Sequence, residues 1–158
     1  MTKKTNAMRF LDSKKINYQV LEYTVDEDNL DAIHVAGQVN LPVNQVFKTL
    51  VVRGDKTGVM LACIPGDGEL DLKLLAKTSK NKNVSMVALK EVLPLTGYIR
   101  GGVSPLGSKK SYPLYLDISA KNWSEISISA GLRGYQIVLA PDDLLNVLPQ
   151  AFLVDICI

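Results

Sequence analysis

Hydrophobic and polar positions change period several times along this chain, and each change marks an element boundary. Over residues 5–16, Ala7, Met8 and Leu11 fall on helical spacing with Phe10 beside them and Lys14-Lys15 at the end, which predicts an amphipathic helix covering a sheet. Residues 18–23 alternate as a strand, and the acidic Asp26-Glu27-Asp28 reads as a solvated loop. Asp28 to Asp31 offers several N-caps for a helix through Ile33, Val35 and Ala36 that ends near Asn40; His34 on it has no acid in a fixed geometry and reads as a surface or core-edge residue. Val46–Val52 is the strongest strand, joined through the Gly54–Gly58 turn to a second at Gly58–Ile64, a hairpin closed by Pro65–Gly68.

The second half alternates in the same way. Glu69–Thr78 reads as a helix with Leu70, Leu74 and Leu75 inward and a solvated row of Lys73, Lys77 and Lys80. Asn83–Met86 suggests a short strand and Val87–Leu93 a short helix, with Pro94-Leu95-Thr96 leading into a glycine-rich loop. Strands follow at Leu114–Ile118, Glu125–Ser129 and Tyr135–Leu139, then a helix from Pro141 through Val147 and a strand at Phe152–Ile156. Short strands separated by helices of irregular length favour one mixed α/β (α+β) domain over residues 1–158, rather than a doubly wound parallel sheet.

Composition narrows the function classes. A chain of 158 residues with 47% hydrophobic and 22% charged residues can bury one core without disulfides or metals. The longest apolar runs, such as Val59–Ile64, are far too short to span a bilayer, and the basic start Met1–Asn6 leads into no signal-peptide core, so a cytoplasmic protein is expected. Cys63 and Cys157 have no CxxC neighbour and His34 is the sole histidine, which argues against a metal site and leaves no cofactor to expect. A net charge of +2 does not announce a nucleic-acid binder, nor does it exclude one that grips only the tip of an RNA.

Two features carry candidate chemistry. In Gly97-Tyr98-Ile99-Arg100-Gly101-Gly102-Val103-Ser104-Pro105-Leu106-Gly107, three glycines, a serine and a proline among the last seven residues rule out a helix or long strand. Such a loop is either a tight connection, with Ser104 a turn residue, or a concavity whose backbone N–H groups meet an anion. Lys48 is the other: an ammonium inside the apolar run Val46–Val52 is either an edge-strand gatekeeper or a group that meets an anion. GxSxG, P-loop and GxGxxG signatures are all missing, so the usual hydrolase and nucleotide-binding devices have no support.

Together with Val46-Phe47-Lys48-Thr49-Leu50, Glu69-Leu70-Asp71-Leu72-Lys73 and Ser129-Ala130-Gly131-Leu132-Arg133-Gly134, the glycine loop resembles the YbaK/EbsC family of aminoacyl-tRNA deacylases. That family is related to the editing domain of bacterial prolyl-tRNA synthetases, and the resemblance runs over nearly the whole chain. It implies a mostly antiparallel sheet curled into a barrel-like core. It also implies that Lys48 holds the terminal adenosine phosphate or ester, with Thr49 beside it, and that Gly101 and Gly102 shape the pocket around the carbonyl. Ser129, Gly131 and Arg133 would close the other side, with Tyr23 as the aromatic near the pocket and Ser104 in the substrate-binding loop. Two departures stand out: residues 26–31 lack the family's aromatic–glycine pair, and Leu132 stands where relatives often carry a basic residue.

The resemblance therefore implies trans-editing of the mischarged tRNA 3′ end, Cys-tRNA(Pro) first, with the substrate's own thiol assisting ester cleavage and prolyl-tRNA synthetase as a transient partner. Ala-tRNA(Pro) deacylation is the rival enzyme. A non-catalytic module binding tRNA 3′ ends or a synthetase is the rival of another class.

Overall fold

The structure, a computed structural model, describes residues 4–158, so the basic segment Met1–Lys3 lies outside the described residues. Its elements run α1 (Asn6–Ser13), β1 (Gln19–Glu22), α2 (Ala32–Val39), β2 (Phe47–Gly54), β3 (Gly58–Pro65), α3 (Leu72–Ser79), β4 (Val84–Met86) and α4 (Leu89–Thr96). They continue with β5 (Leu114–Asp117), β6 (Ile126–Ser129), β7 (Tyr135–Leu139), α5 (Pro141–Val147) and β8 (Ala151–Val154).

The strands form two sheets, β1-β7-β6 and β4-β2-β3-β5-β8. The smaller sheet is antiparallel; in the larger, β4-β2-β3 is antiparallel and β3-β5-β8 parallel, so the mixed, mostly antiparallel α/β reading holds. The sheets touch through a parallel bridge between Val46 and Ser127, and no closed barrel forms among the described residues.

Alternation along β2 decides which residues meet which layer. Phe47 and Val51, with Leu61, Cys63 and Leu116, pack against Ile126, Ile128 and Ile137 of the smaller sheet and against Met8 and Leu11 of α1. Val52, Met60, Ala62 and Ile64 point to the opposite face, where Leu75 and Ala76 of α3 cover them. β5 is buried throughout, because it lies between two strands with both faces covered.

Side-chain caps set most helix starts. Thr5 accepts from Met8 N at 3.2 Å, Asp31 from His34 N at 2.9 Å, and Asp71 from Leu74 N at 3.0 Å. The Asp71 cap moves the start of α3 to Leu72, later than the expected Glu69; Leu70 instead bridges to Cys157. α4 also differs from expectation. Val87 N bonds Val51 O at 3.0 Å as an extension of the sheet, and the helix runs through Pro94 to Thr96 instead of ending before it. Pro94 supplies no N–H to the helix ladder, and the helix ends two residues later, where Gly97 N returns to Leu93 O at 2.8 Å.

Candidate functional site

A cavity of about 460 Å³ opens beside β2, and the sheet topology explains its place. On the outer side of β2 the backbone bridges to β6 at Val46–Ser127, just before the strand, and pairs with β4 from Val52 onward. Residues 47–51 border the gap between those two points, and the segments 30–35 and 100–103 roof it.

Lys48, Thr49, Gly101 and Ser129 come together on the lining, although they lie on β2, a loop and β6. The Lys48 ammonium donates to Gly66 O at 3.2 Å, and no carboxylate pairs with it among the described residues. One carbonyl steadies the ammonium and leaves its charge for a ligand. The Thr49 hydroxyl reaches Cys63 Sγ at 3.8 Å behind the wall.

Gly101 has φ +85°, a left-handed conformation, and a Cβ there would stand 3.3 Å from Arg133 Nε and 3.4 Å from Leu30. Its amide makes no bond within the described residues, whereas Gly102 N is consumed by Ile99 O at 2.9 Å. Of the two glycines, only Gly101 lines the cavity with a free backbone donor.

Five expected residues lie outside the lining. Ser104 is fully buried and its hydroxyl accepts from Leu106 N at 3.3 Å, which makes it a turn residue. Tyr23 pairs its backbone N–H with Gly134 O at 2.8 Å, and Gly102 is held in its turn. Gly131, at φ +92°, gives room to the Tyr98 ring, which a Cβ would meet at 2.7 Å; Ser129 Oγ accepts from Gly131 N at 3.1 Å. Arg133 acts on the roof from behind, donating from Nε to Arg100 O at 2.7 Å.

Other lining residues were not expected from the sequence. Leu30, Asp31 and Ile33, at the capped start of α2, supply part of the roof, so this helix start borders the cavity as well as capping the helix. Asp31 also accepts from the His34 ring Nδ1 at 2.9 Å, which corrects the reading of His34 as lacking a fixed acid; the exposed position was right. The His34 backbone N–H, followed by its ring, holds the Asp31 carboxyl below the usual carboxylate range. Arg100 adds a second, exposed cation to the lining. Gln136 contributes a buried amide whose Oε1 accepts from the buried Ser127 hydroxyl at 2.8 Å, leaving its N–H₂ donors for the cavity.

The wall carries the Thr49 and Ser129 hydroxyls but no thiol, and no imidazole to activate a hydroxyl. Cys63 is fully buried and Cys157, beside Gly68, is not on the lining; burial pushes each thiol up to about 12, so neither supplies a thiolate at neutral pH. Among the described residues, no three His, Cys, Asp or Glu side chains cluster as a metal site would need. No helix there is long and apolar enough to cross a membrane.

The aminoacyl-tRNA editing domain matches residues 26–147, which carry every lining residue named above. The chain belongs to that family. Its activity class is aminoacyl-tRNA deacylation, and the resemblance read from the sequence holds. The chain is 50% identical over 144 residues to EbsC of Enterococcus faecalis, a protein named as a candidate Cys-tRNA(Pro)/Cys-tRNA(Cys) deacylase, covering 91% of this chain and 88% of EbsC. It is 33% identical over 121 residues to the proline–tRNA ligase of a Sulfurihydrogenibium species, covering 77% of this chain but 21% of the ligase. A solved structure described as a candidate trans-editing enzyme for prolyl-tRNA synthetase superposes with a TM-score of 0.82 at 26% identity, covering 99% of this chain and 98% of the other.

Proposed function

We propose that this editing protein clears cysteine from tRNA for proline, acting in trans on the 3′-terminal aminoacyl-adenosine. The observation that carries the reading is a lining with two cations and an unbonded Gly101 amide, on which the Thr49 and Ser129 hydroxyls have neither a thiol nor an imidazole beside them. A site so equipped can bind and polarise an ester, while the attacking group must come from the substrate or from water.

Lys48 holds the phosphate or ester end of the terminal nucleotide, and Gly101 N–H meets the ester carbonyl as charge develops on oxygen. Thr49 and Ser129 add hydroxyls beside it. The cysteine sulfur of the substrate attacks its own carbonyl carbon, the ester C–O bond breaks, and the thiol proton goes to the departing ribose oxygen. Water then opens the resulting thiolactone to free cysteine. Holding sulfur and carbonyl together in a small pocket supplies the effective concentration that a separate nucleophile would lack.

The relatives favour this substrate. EbsC carries the Cys-tRNA(Pro) assignment in its name, and half of its aligned residues are shared. The likeness to part of a proline–tRNA ligase supports a transient complex with that synthetase, in which this chain does from outside what an inserted domain does from within.

The test is release of free cysteine from purified Cys-tRNA(Pro) by the purified protein alone. Hydrolysis well above the spontaneous rate supports the enzyme; binding of the charged tRNA with no release would make the chain a binding module. Faster release from Ala-tRNA(Pro) would favour the alanine reading.

A further inference from the structure

A second cavity, of about 250 Å³, lies on the other side of Lys48. Lys48, Leu50 and Met86 line both cavities, so the two meet along one shared ridge with an ammonium on it. Beyond the ridge the second cavity is flanked by Leu70 and Leu72 and bordered by Glu69. The exposed Glu69 carboxylate has no hydrogen-bond or ion-pair partner among the described residues. Glu69, Leu70 and Leu72 belong to a motif singled out in the sequence, and the deacylation reading gives that motif no task.

We propose that the second cavity binds the nucleoside that precedes the terminal adenosine, with its base against Leu72 and Met86 and its exocyclic amine donating to Glu69. The inference rests on the reading of the first cavity as the aminoacyl-adenosine site. Three features fit a dinucleotide. A phosphodiester between two nucleosides carries one negative charge, and Lys48 stands on the wall between the two cavities. The apolar flank of Leu70, Leu72 and Met86 offers the face of a splayed base a surface to bury. A carboxylate accepts hydrogen bonds and cannot donate them, so it selects a Watson–Crick edge with an amine, as Asp and Glu do at cytosine N4. The cytidine before the terminal adenosine of tRNA has that amine; uridine offers a carbonyl oxygen there and would be repelled.

The test is calorimetric titration of the full chain with AMP and with the uncharged dinucleotides CpA and UpA, repeated on Glu69→Ala and Glu69→Gln. Glu69 is exposed, so neither variant removes core packing. The expected result is CpA binding at least tenfold more tightly than AMP and at least threefold more tightly than UpA. Glu69→Ala should bring CpA and UpA together while leaving AMP unchanged, and Glu69→Gln, which keeps a carbonyl acceptor, should retain part of the preference. CpA no tighter than AMP, or a CpA preference that survives Glu69→Ala, overturns the proposal. The titrations need no ester hydrolysis. A protein that prefers CpA yet releases no amino acid contradicts the deacylase reading alone, and one that deacylates but ignores the second nucleoside contradicts this inference alone.

Discussion

Arg133 Nε donates to the Arg100 carbonyl across 2.7 Å, tying the 130–134 loop to the roof of the cavity one residue before Gly101. Gly101 holds φ +85° directly beneath that guanidinium. A charge-assisted bond to backbone is worth about 1.5–3 kcal/mol, enough to keep one loop geometry dominant.

Removing that tie should loosen the roof without emptying the site. Arg133→Ala is expected to lower deacylation kcat by about tenfold, with a smaller change in KM. Arg133→Lys should not restore it, because an ammonium lacks the guanidinium's planar fork. Steady-state kinetics on charged tRNA checks both, and an unchanged kcat in Arg133→Ala would show that the roof needs no tie.

Gly101→Val should be more severe. A side chain there is strained by the left-handed backbone and must displace Arg133 Nε or Leu30, each within 3.4 Å of the new Cβ. We expect a loss of at least a hundredfold in kcat/KM with the melting temperature within a few degrees of wild type. Near-normal turnover in the folded variant would remove Gly101 from the site.

Alkaline pH should destabilise the fold. Burial pushes Cys63 and Tyr98 up to about 12, from 9.0 and 10.0 respectively, so the folded state keeps protons that the unfolded chain gives up first. Their contribution is complete below pH 9 and declines as pH rises from there toward 12. Urea melts at pH 8, 9.5 and 11 should show this fall. Tyr98→Phe should flatten it above pH 10 while lowering stability at pH 8 by about 1 kcal/mol, because the phenol's 2.6 Å bond to Leu106 O is lost.

Binding of uncharged tRNA should be weak and only mildly salt-dependent. Lys48 and Arg100 are the cations on the cavity wall, and Arg133 lies just behind them. Two or three phosphate contacts predict a log–log salt slope of about −1 to −3, readable by filter binding between low and moderate salt. A slope much steeper than that would reveal a basic face elsewhere on the molecule.

Much of this was legible in the sequence, for identifiable reasons. Lys48 stood out because a cation breaks the apolar run Val46–Val52, and Gly101 because glycine clusters announce unusual backbone. Gln136 passed unnoticed because one polar residue at the start of the strand Tyr135–Leu139 looks solvated; the fold buries it and brings the Ser127 hydroxyl, diagonally across on β6, to its Oε1. Leu30, Ile33 and Met86 look like ordinary apolar residues until the fold gathers them around one gap. A serine in a glycine-rich loop fits a turn as well as a site, and the fold places Ser104 off the lining with its hydroxyl accepting from Leu106 N. The Asp31–His34 contact sits at the i, i+3 spacing of a helix start, and the N-cap reading of the 28–31 segment already held the clue.

The central claim is that the substrate, not the protein, provides the nucleophile, and single-turnover hydrolysis tests it most directly. tRNA for proline would be charged in turn with cysteine, serine and alanine and mixed with excess wild type or with the double variant Cys63→Ser, Cys157→Ser. The account predicts cysteine released fastest by both proteins, with serine well behind because a hydroxyl ionises far less than a thiol at neutral pH, and alanine slowest. Equal rates for cysteine and alanine, or loss of cysteine release in a folded double variant, would contradict it.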